Sequence, residues 1–267
     1  MYKDVFFQAE KITAAYGKKQ VLREISFALQ PHTLTGLLGA NGCGKTTLLK
    51  CIINQMPHGG SCMLEGRRLE TESTRALARK LSYIPQRSGL QLSLPVLDVV
   101  LMGFNPRLNL LERPSQEQEQ RAREALQAVG LAEQAETDYL CLSEGQKQLV
   151  FLARTLIEDT TLLLLDEPDS ALDLPHRYGI LRQLRVLVQK ERRAGLLSLH
   201  DPILALTFCD QLLLLRDGRC WGAIHPKEDD LETMERLLQE IYGRISLVRC
   251  QDRQGKSHLT VLWEEVE

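Results

Sequence analysis

At 267 residues, with 43% apolar residues and a formal charge of −2 from 33 basic and 35 acidic side chains, the chain can bury a sizeable core. It is neither a disordered charged tail nor a strongly basic nucleic-acid binder, and an aromatic content of 5% argues against a base-stacking platform. The longest stretch without Asp, Glu, Lys or Arg, residues 25–44, is interrupted by Gln30, Pro31, His32 and Asn41 and falls short of a membrane span.

Met1-Tyr2-Lys3-Asp4 shows no basic region followed by a long apolar run, so no secretory signal is expected and the cytoplasm is the expected compartment. The opening third reads as strands. Residues 21–29 place Val21, Ile25, Phe27 and Leu29 on one face at period two, the pattern of a half-buried strand. Residues 34–38 form a short apolar run that ends in glycines, and a helix-compatible stretch begins at Lys45. Residues 95–140 read as a polar helical insert entered through Pro95, Pro106 and Pro114, with Ala122, Ala125, Leu126 and Val129 on one stripe. The four-leucine runs 162–165 and 212–215 suit parallel strands covered on both faces, with 196–199 as a third candidate and a helical segment over 174–193. An amphipathic helix carrying Leu231, Met234, Leu238 and Ile241 precedes two short strand-like pieces, 246–248 and 258–263, across a polar turn. The seven cysteines are odd in number, irregularly spaced and without a C-x-x-C pair; they read as partly buried thiols rather than a disulfide framework or a zinc site.

Gly39-Ala40-Asn41-Gly42-Cys43-Gly44-Lys45-Thr46, followed by Thr47, matches G-x-x-x-x-G-K-[ST] in full. Such glycines let backbone N–H groups curl around phosphate oxygens at a helix N-terminus, while Lys45 supplies a mobile cation and the Thr46 hydroxyl a ligand for Mg²⁺. The pattern arises by chance in roughly one chain of this length per hundred, and the preceding apolar strand and following helix place it in its working context. A second half-site lies where the run 162–165 enters Asp166-Glu167-Pro168. Asp166 is placed to hold Mg²⁺ through water, Glu167 to polarise an attacking water as general base, and Pro168 to end the strand.

Between these motifs stands Leu142-Ser143-Glu144-Gly145-Gln146, about 100 residues after the phosphate loop and about 20 before Asp166. In this order the sequence resembles the ATP-binding cassette (ABC) ATPases over roughly residues 6–243. The resemblance implies a P-loop NTPase fold with a RecA-like core sheet, an N-terminal antiparallel β subdomain, a helical subdomain insert over about 95–140 and a signature helix over 143–157. Residues 1–243 would form the ATPase domain and 244–267 a short C-terminal β extension. It implies ATP and Mg²⁺ as cofactors, with Tyr16 stacking on adenine, Gln86 touching Mg²⁺ or the water, His200 contacting the γ-phosphate, and Asp173 in a loop that crosses a dimer interface. Leu142 to Gln146 would act on the ATP of an opposite subunit, so two cassettes would sandwich two ATP molecules head to tail. Glu144 departs from the family's usual glycine, either splayed outward or tuning hydrolysis, and Asp169 stands where threonine is common. Cys43 is expected to make the site sensitive to thiol reagents.

Finer resemblance, in residues 97–103, Arg113-Pro114-Ser115 and Glu240-Ile241-Tyr242-Gly243, points to the importer branch that moves iron–siderophore complexes, haem or vitamin B12. The implied partners are a second ABC ATPase subunit, taken as an identical chain, transmembrane permease subunits docking on the region from Gln86 through the insert, and a substrate-binding protein acting through the permease; no nucleic acid is implied. The expected location is then the cytoplasmic face of the membrane, held by the permease. The alternative is a non-transport ABC ATPase such as one serving iron–sulfur assembly.

Overall fold

The computed structural model describes residues 5–86, 89–109, 112–190 and 192–264. Met1 to Asp4, on which the absence of a secretory signal was expected, and the last three residues of the expected C-terminal extension lie outside this range. The chain divides into two compact units, one holding Met1–Thr71 with Leu184–Glu267, the other Glu72–Gln183.

In the first unit, β1 (Phe7–Tyr16) pairs antiparallel with β2 (Lys19–Leu29) on one side and β4 (Gly59–Leu64) on the other, and β5 (Arg67–Arg68) completes the sheet beside β4. The expected alternation along β2 is broken. Ala9 pairs with Phe27, Ile12 with Ile25 and Ala14 with Leu22, so each strand carries one extra residue in turn. Those residues are Lys11 and Glu24, at φ 49° and 54°, the left-handed backbone of a β-bulge. The second bulge turns Leu22 inward in place of Val21, and Leu22, Ile25 and Leu29 become the fully buried set. Phe27 is half-buried and packs on Phe7 with ring centroids 5.8 Å apart.

The same unit holds β3 (Leu34–Gly39), every residue of it buried, flanked by β8 (Ala194–Ser198) and β9 (Gln211–Arg216), both parallel to it. β10 (Arg219–Ile224) returns antiparallel along β9. The leucine run 212–215 is thus sandwiched as a doubly covered strand should be, although one of its two neighbours is antiparallel. α1 (Lys45–Ile52) follows β3, α7 (Pro202–Phe208) follows β8, and α8 (Leu231–Tyr242) buries Met234 and Leu238. The terminal pieces form an antiparallel hairpin, β11 (Ile245–Gln251) and β12 (Ser257–Trp263).

In the second unit, β6 (Leu81–Ile84) runs parallel to the wholly buried β7 (Leu162–Asp166). The insert comprises α3 (Val96–Leu101) and α4 (Gln116–Ala128), and its stripe of Ala122, Ala125, Leu126 and Val129 is buried. Its base is closed by hydrogen bonds from Val96 N–H to the Thr137 carbonyl and from Leu97 N–H to the Ala135 carbonyl. α5 (Glu144–Ile157) packs against both helices, and α6 (Leu174–Lys190) begins in this unit after β7. α2 (Thr74–Ala78) precedes β6. The architecture is α/β, with an N-terminal antiparallel sheet, parallel core strands and a helical insert. Among the described residues no helix is long and apolar enough to cross a membrane.

Candidate functional site

The phosphate loop grows from the buried end of β3. A side chain at Gly39 would place Cβ 2.3 Å from the Leu215 carbonyl oxygen, so only glycine lets the loop leave the sheet this close to β9. Gly44 closes the loop at φ 112°, where a Cβ would fall 2.6 Å from Leu22 Cδ2. As the N-cap of α1 it has no side chain to bond the first-turn N–H groups, and no acidic residue occupies that turn. The helix start is therefore left open to an anion, in the first turn that holds Lys45, Thr46 and Thr47. Lys45 is buried, and its ammonium donates to the carbonyls of Gly39 at 2.6 Å and Ala40 at 3.4 Å, which holds the charge over the loop. Asn41, Gly42 and Cys43 line one wall of a 510 Å³ cleft completed by Lys19, Asp217 and Glu240.

Cys43 differs from the expectation placed on it. It is buried, and burial pushes its thiol above the ordinary value against the lowering pull of Lys45. Less thiolate and less access make it a slow target for alkylation. Cys141 and Cys250 are the exposed thiols, and all seven cysteines are free.

Tyr16 ends β1 at the tip of its hairpin with β2, 55% exposed, its ring face open for stacking. His200 lies exposed two residues beyond β8. Its position is fixed from two sides: Asp201 caps α7 by accepting from the N–H groups of Ile203 and Leu204, and the Tyr242 hydroxyl donates to the His200 carbonyl at 3.2 Å. Tyr242 is in turn met edge-on by Trp263 of β12, with centroids 6.4 Å apart.

In the second unit the carboxylate pair follows directly from the β6–β7 register. Ile84 pairs with Leu165, so Gln86 and Glu167, each two residues further, come together although 81 positions separate them. Gln86 Nε2 donates to Glu167 Oε2 at 2.5 Å. Asp166 and Glu167 are both buried, and Glu167 sits at φ 50°, a left-handed turn unusual for a residue with a side chain. The turn is held through its carbonyl, which accepts from Gln148 Nε2 at 3.0 Å and from Ser170 Oγ at 3.1 Å. Asp173 accepts from the His176 N–H and ring Nδ1, and these bonds hold its carboxyl below the usual range.

Ser143 is the N-cap of α5 in a complete capping box: its Oγ accepts from Gln146 N–H at 3.3 Å, and Gln146 Oε1 accepts from Ser143 N–H at 3.0 Å. The Ser143 hydroxyl proton remains to be donated. Leu142 is buried and anchors the turn. Gly145 lies against the Ala171 carbonyl, which a Cβ would approach to 2.9 Å. Glu144 points outward, well exposed, and takes a 2.9 Å hydrogen bond from Lys147; this bond raises the lysine, which lies 5.8 Å over the Tyr139 ring. Of the two alternatives for Glu144, its orientation is the outward one. Gln86, Glu144, Lys147, Gln148, Phe151 and Ser170 border a 410 Å³ groove within this unit.

Two residues without a predicted role emerge. Gln148 supports the Glu167 turn, and only its place two residues past the signature Leu142–Gln146 signals it. Tyr242, inside the Glu240-Ile241-Tyr242-Gly243 run, braces His200 from 42 positions away.

Comparisons with known proteins identify the family. The family model for ABC transporters matches residues 22–170. The petrobactin import ATP-binding protein FpuD of Bacillus anthracis is 31% identical over 236 residues, covering 88% of this chain and 85% of that protein. The hemin import ATP-binding protein HmuV of Bordetella bronchiseptica is 37% identical over 245 residues, covering 88% and 91%. A solved ABC transporter in an inward-facing conformation superposes with a TM-score of 0.80 over 98% of this chain and 99% of that one, at 24% identity, a likeness of fold. On its motifs, its architecture and these relatives, the chain belongs to the ABC transporter ATP-binding family and is an ATPase.

Proposed function

We propose that the chain is the energising subunit of an importer for iron held in a siderophore or haem, or for the chemically related cobalamin. The observation that carries this is the presence in one chain of two distinct helix starts for phosphate, the open N-terminus of α1 and the Ser143-capped N-terminus of α5, one set of each. A single set is half of a head-to-tail pair, which calls for a second cassette, an identical chain. Petrobactin and hemin import by the two relatives supports the cargo class, and the pair would dock on transmembrane permease subunits. A substrate-binding protein would deliver cargo to the permease, which would dock on the region from Gln86 through the helical insert. The chain then works at the cytoplasmic face of the membrane, attached through that contact.

Tyr16 stacks on adenine, the N–H groups of residues 39–47 and the Lys45 ammonium take the phosphates, and Ser143 and Gly145 donate to the γ-phosphate held by the second chain. Thr46, Gln86 and Asp166 offer a hydroxyl, an amide oxygen and, through water, a carboxylate, an all-oxygen set that fits Mg²⁺. That ion would neutralise charge on the phosphates. Glu167, oriented by Gln86 and by the grip on its carbonyl, takes the proton from the attacking water, His200 steadies the γ-phosphate, and the Asp173 loop meets the second chain.

The decisive experiment is Glu167→Gln. Turnover should fall by about 10²- to 10⁴-fold, the range for loss of a general base, while ATP binding persists and ATP now holds a dimer visible by gel filtration. Wild-type turnover in this variant would remove Glu167 from that role. Copurification with a multi-span permease tests the importer assignment, and capture of an iron–sulfur scaffold without a permease would replace it with the non-transport alternative.

A further inference from the structure

Away from every residue assigned above, the first unit gathers three metal-ligating side chains of different kinds. His58 lies between α1 and β4, Cys62 within β4, and Glu70 just after β5. The β4–β5 hairpin pairs Met63 with Arg68 and Leu64 with Arg67, which folds Glu70 back across Cys62. Glu70 Oε1 accepts from the Cys62 N–H at 2.5 Å and lies 3.9 Å from His58 Nε2. One nitrogen, one sulfur and one carboxylate oxygen lie within 4.8 Å of one another.

The hydrogen bonds around the cluster fix which atoms face inward. His58 Nδ1 lies 3.2 Å from the Gly59 carbonyl. In the tautomer that donates to this carbonyl, Nε2 presents a lone pair. That lone pair is directed at a carboxylate oxygen, and the imidazole is only 4% exposed. Two acceptors then lie 3.9 Å apart beside a fully buried thiol, with the Glu70 side chain 22% exposed. A cation between them satisfies both. A backbone carbonyl on the far nitrogen is also the usual support of a metal-bound histidine. Glu70 is oriented as well, by the Cys62 N–H and by Arg68 Nε at 3.4 Å from its other oxygen.

We propose that His58, Cys62 and Glu70 bind one divalent cation of borderline softness, of the Zn²⁺ class, at a site separate from the nucleotide. The mixed nitrogen, sulfur and oxygen set selects such an ion over Mg²⁺, which takes oxygen alone. Tetrahedral bonds of about 2.0–2.3 Å put ligand atoms roughly 3.3–3.8 Å apart, so the cluster closes by about 1.5 Å at most. The cation replaces the Cys62 thiol proton, which leaves to solvent, and a fourth position stays open to water. Because Asn54 Nδ2, just past the end of α1, donates to the Leu69 carbonyl at 2.8 Å, loading clamps that helix end to the β4–β5 hairpin.

The test uses the full chain, stripped with a chelator and titrated with Co²⁺ and then Zn²⁺. One Co²⁺ per chain should give a thiolate-to-cobalt charge-transfer band that Zn²⁺ abolishes, and Zn²⁺ should raise the melting temperature. His58→Ala and Glu70→Gln, checked for folding by circular dichroism, should each weaken Zn²⁺ binding at least tenfold. Cys62→Ser should lose the band, whereas Cys141→Ser and Cys250→Ser should keep it. Wild-type affinity in a folded His58→Ala variant overturns the proposal, even if Cys62→Ser fails to fold. So does a band that persists in Cys62→Ser or disappears with the surface cysteines, and so does a wild-type chain that binds no Co²⁺ or Zn²⁺ stoichiometrically.

Discussion

In the proposed function the starts of α1 and α5 both meet phosphate, yet they are built in opposite ways. α1 opens with Gly44, no side-chain cap and no acid in its first turn, whereas α5 opens with a reciprocal Ser143–Gln146 box and an acid, Glu144, in its first turn. The first leaves its N–H groups unanswered, so an anion supplies what the sequence withholds. The second is satisfied before any ligand arrives and has chiefly a hydroxyl proton left to give. One helix start needs phosphate to be complete; the other only recognises it. This is the division expected if α1 holds nucleotide permanently within a chain and α5 meets it only when a second chain closes.

The largest effect that would test this contrast falls on α1. Gly44→Ala forces a Cβ into a φ of 112° and onto Leu22, a strain of about 1–3 kcal/mol; calorimetry should show ATP binding by the isolated chain lost together with a lower melting temperature. If ATP binds normally, the open start of α1 is not what holds it. Next comes Ser143→Ala. Loss of the cap should cost about 0.5–2 kcal/mol, with ATP affinity of the monomer unchanged but turnover and ATP-driven dimerisation reduced. An equal loss of monomer affinity would erase the distinction between the two starts. Smaller still is Glu144→Gly, which removes the hydrogen-bonded pair with Lys147. The chain should fold, and turnover should be at least that of the wild type; a large loss would make Glu144 a working part of the signature. Last, mass mapping after brief alkylation should find Cys141 and Cys250 modified ahead of Cys43, with Cys43 labelling quickening as pH rises because its thiol is held up by burial.

Much of this was legible because it is local. The leucine runs at 162–165 and 212–215 have the pattern typical of covered strands, and a loop of the phosphate type announces its own strand and helix. What escaped depends on offsets or on partners far along the chain. A one-residue bulge at Glu24 moves Leu22 to the core in place of Val21, and no alternation count contains it, since Glu24 has no special propensity for a positive φ. Gln148 and Tyr242 act on backbone carbonyls, which have no residue identity to search for. Cysteine spacing, taken alone, looked past His58 and Glu70, because the hairpin rather than the spacing brings those side chains to Cys62.

The brace on His200 also has a practical use. The chain holds two tryptophans, and one of them, Trp263, touches the tyrosine whose hydroxyl grips the histidine's carbonyl. With Trp221→Phe the remaining indole becomes a single native fluorophore two contacts from His200. Rearrangement of that loop during a turnover cycle should then be readable as an emission change in real time, without any added dye.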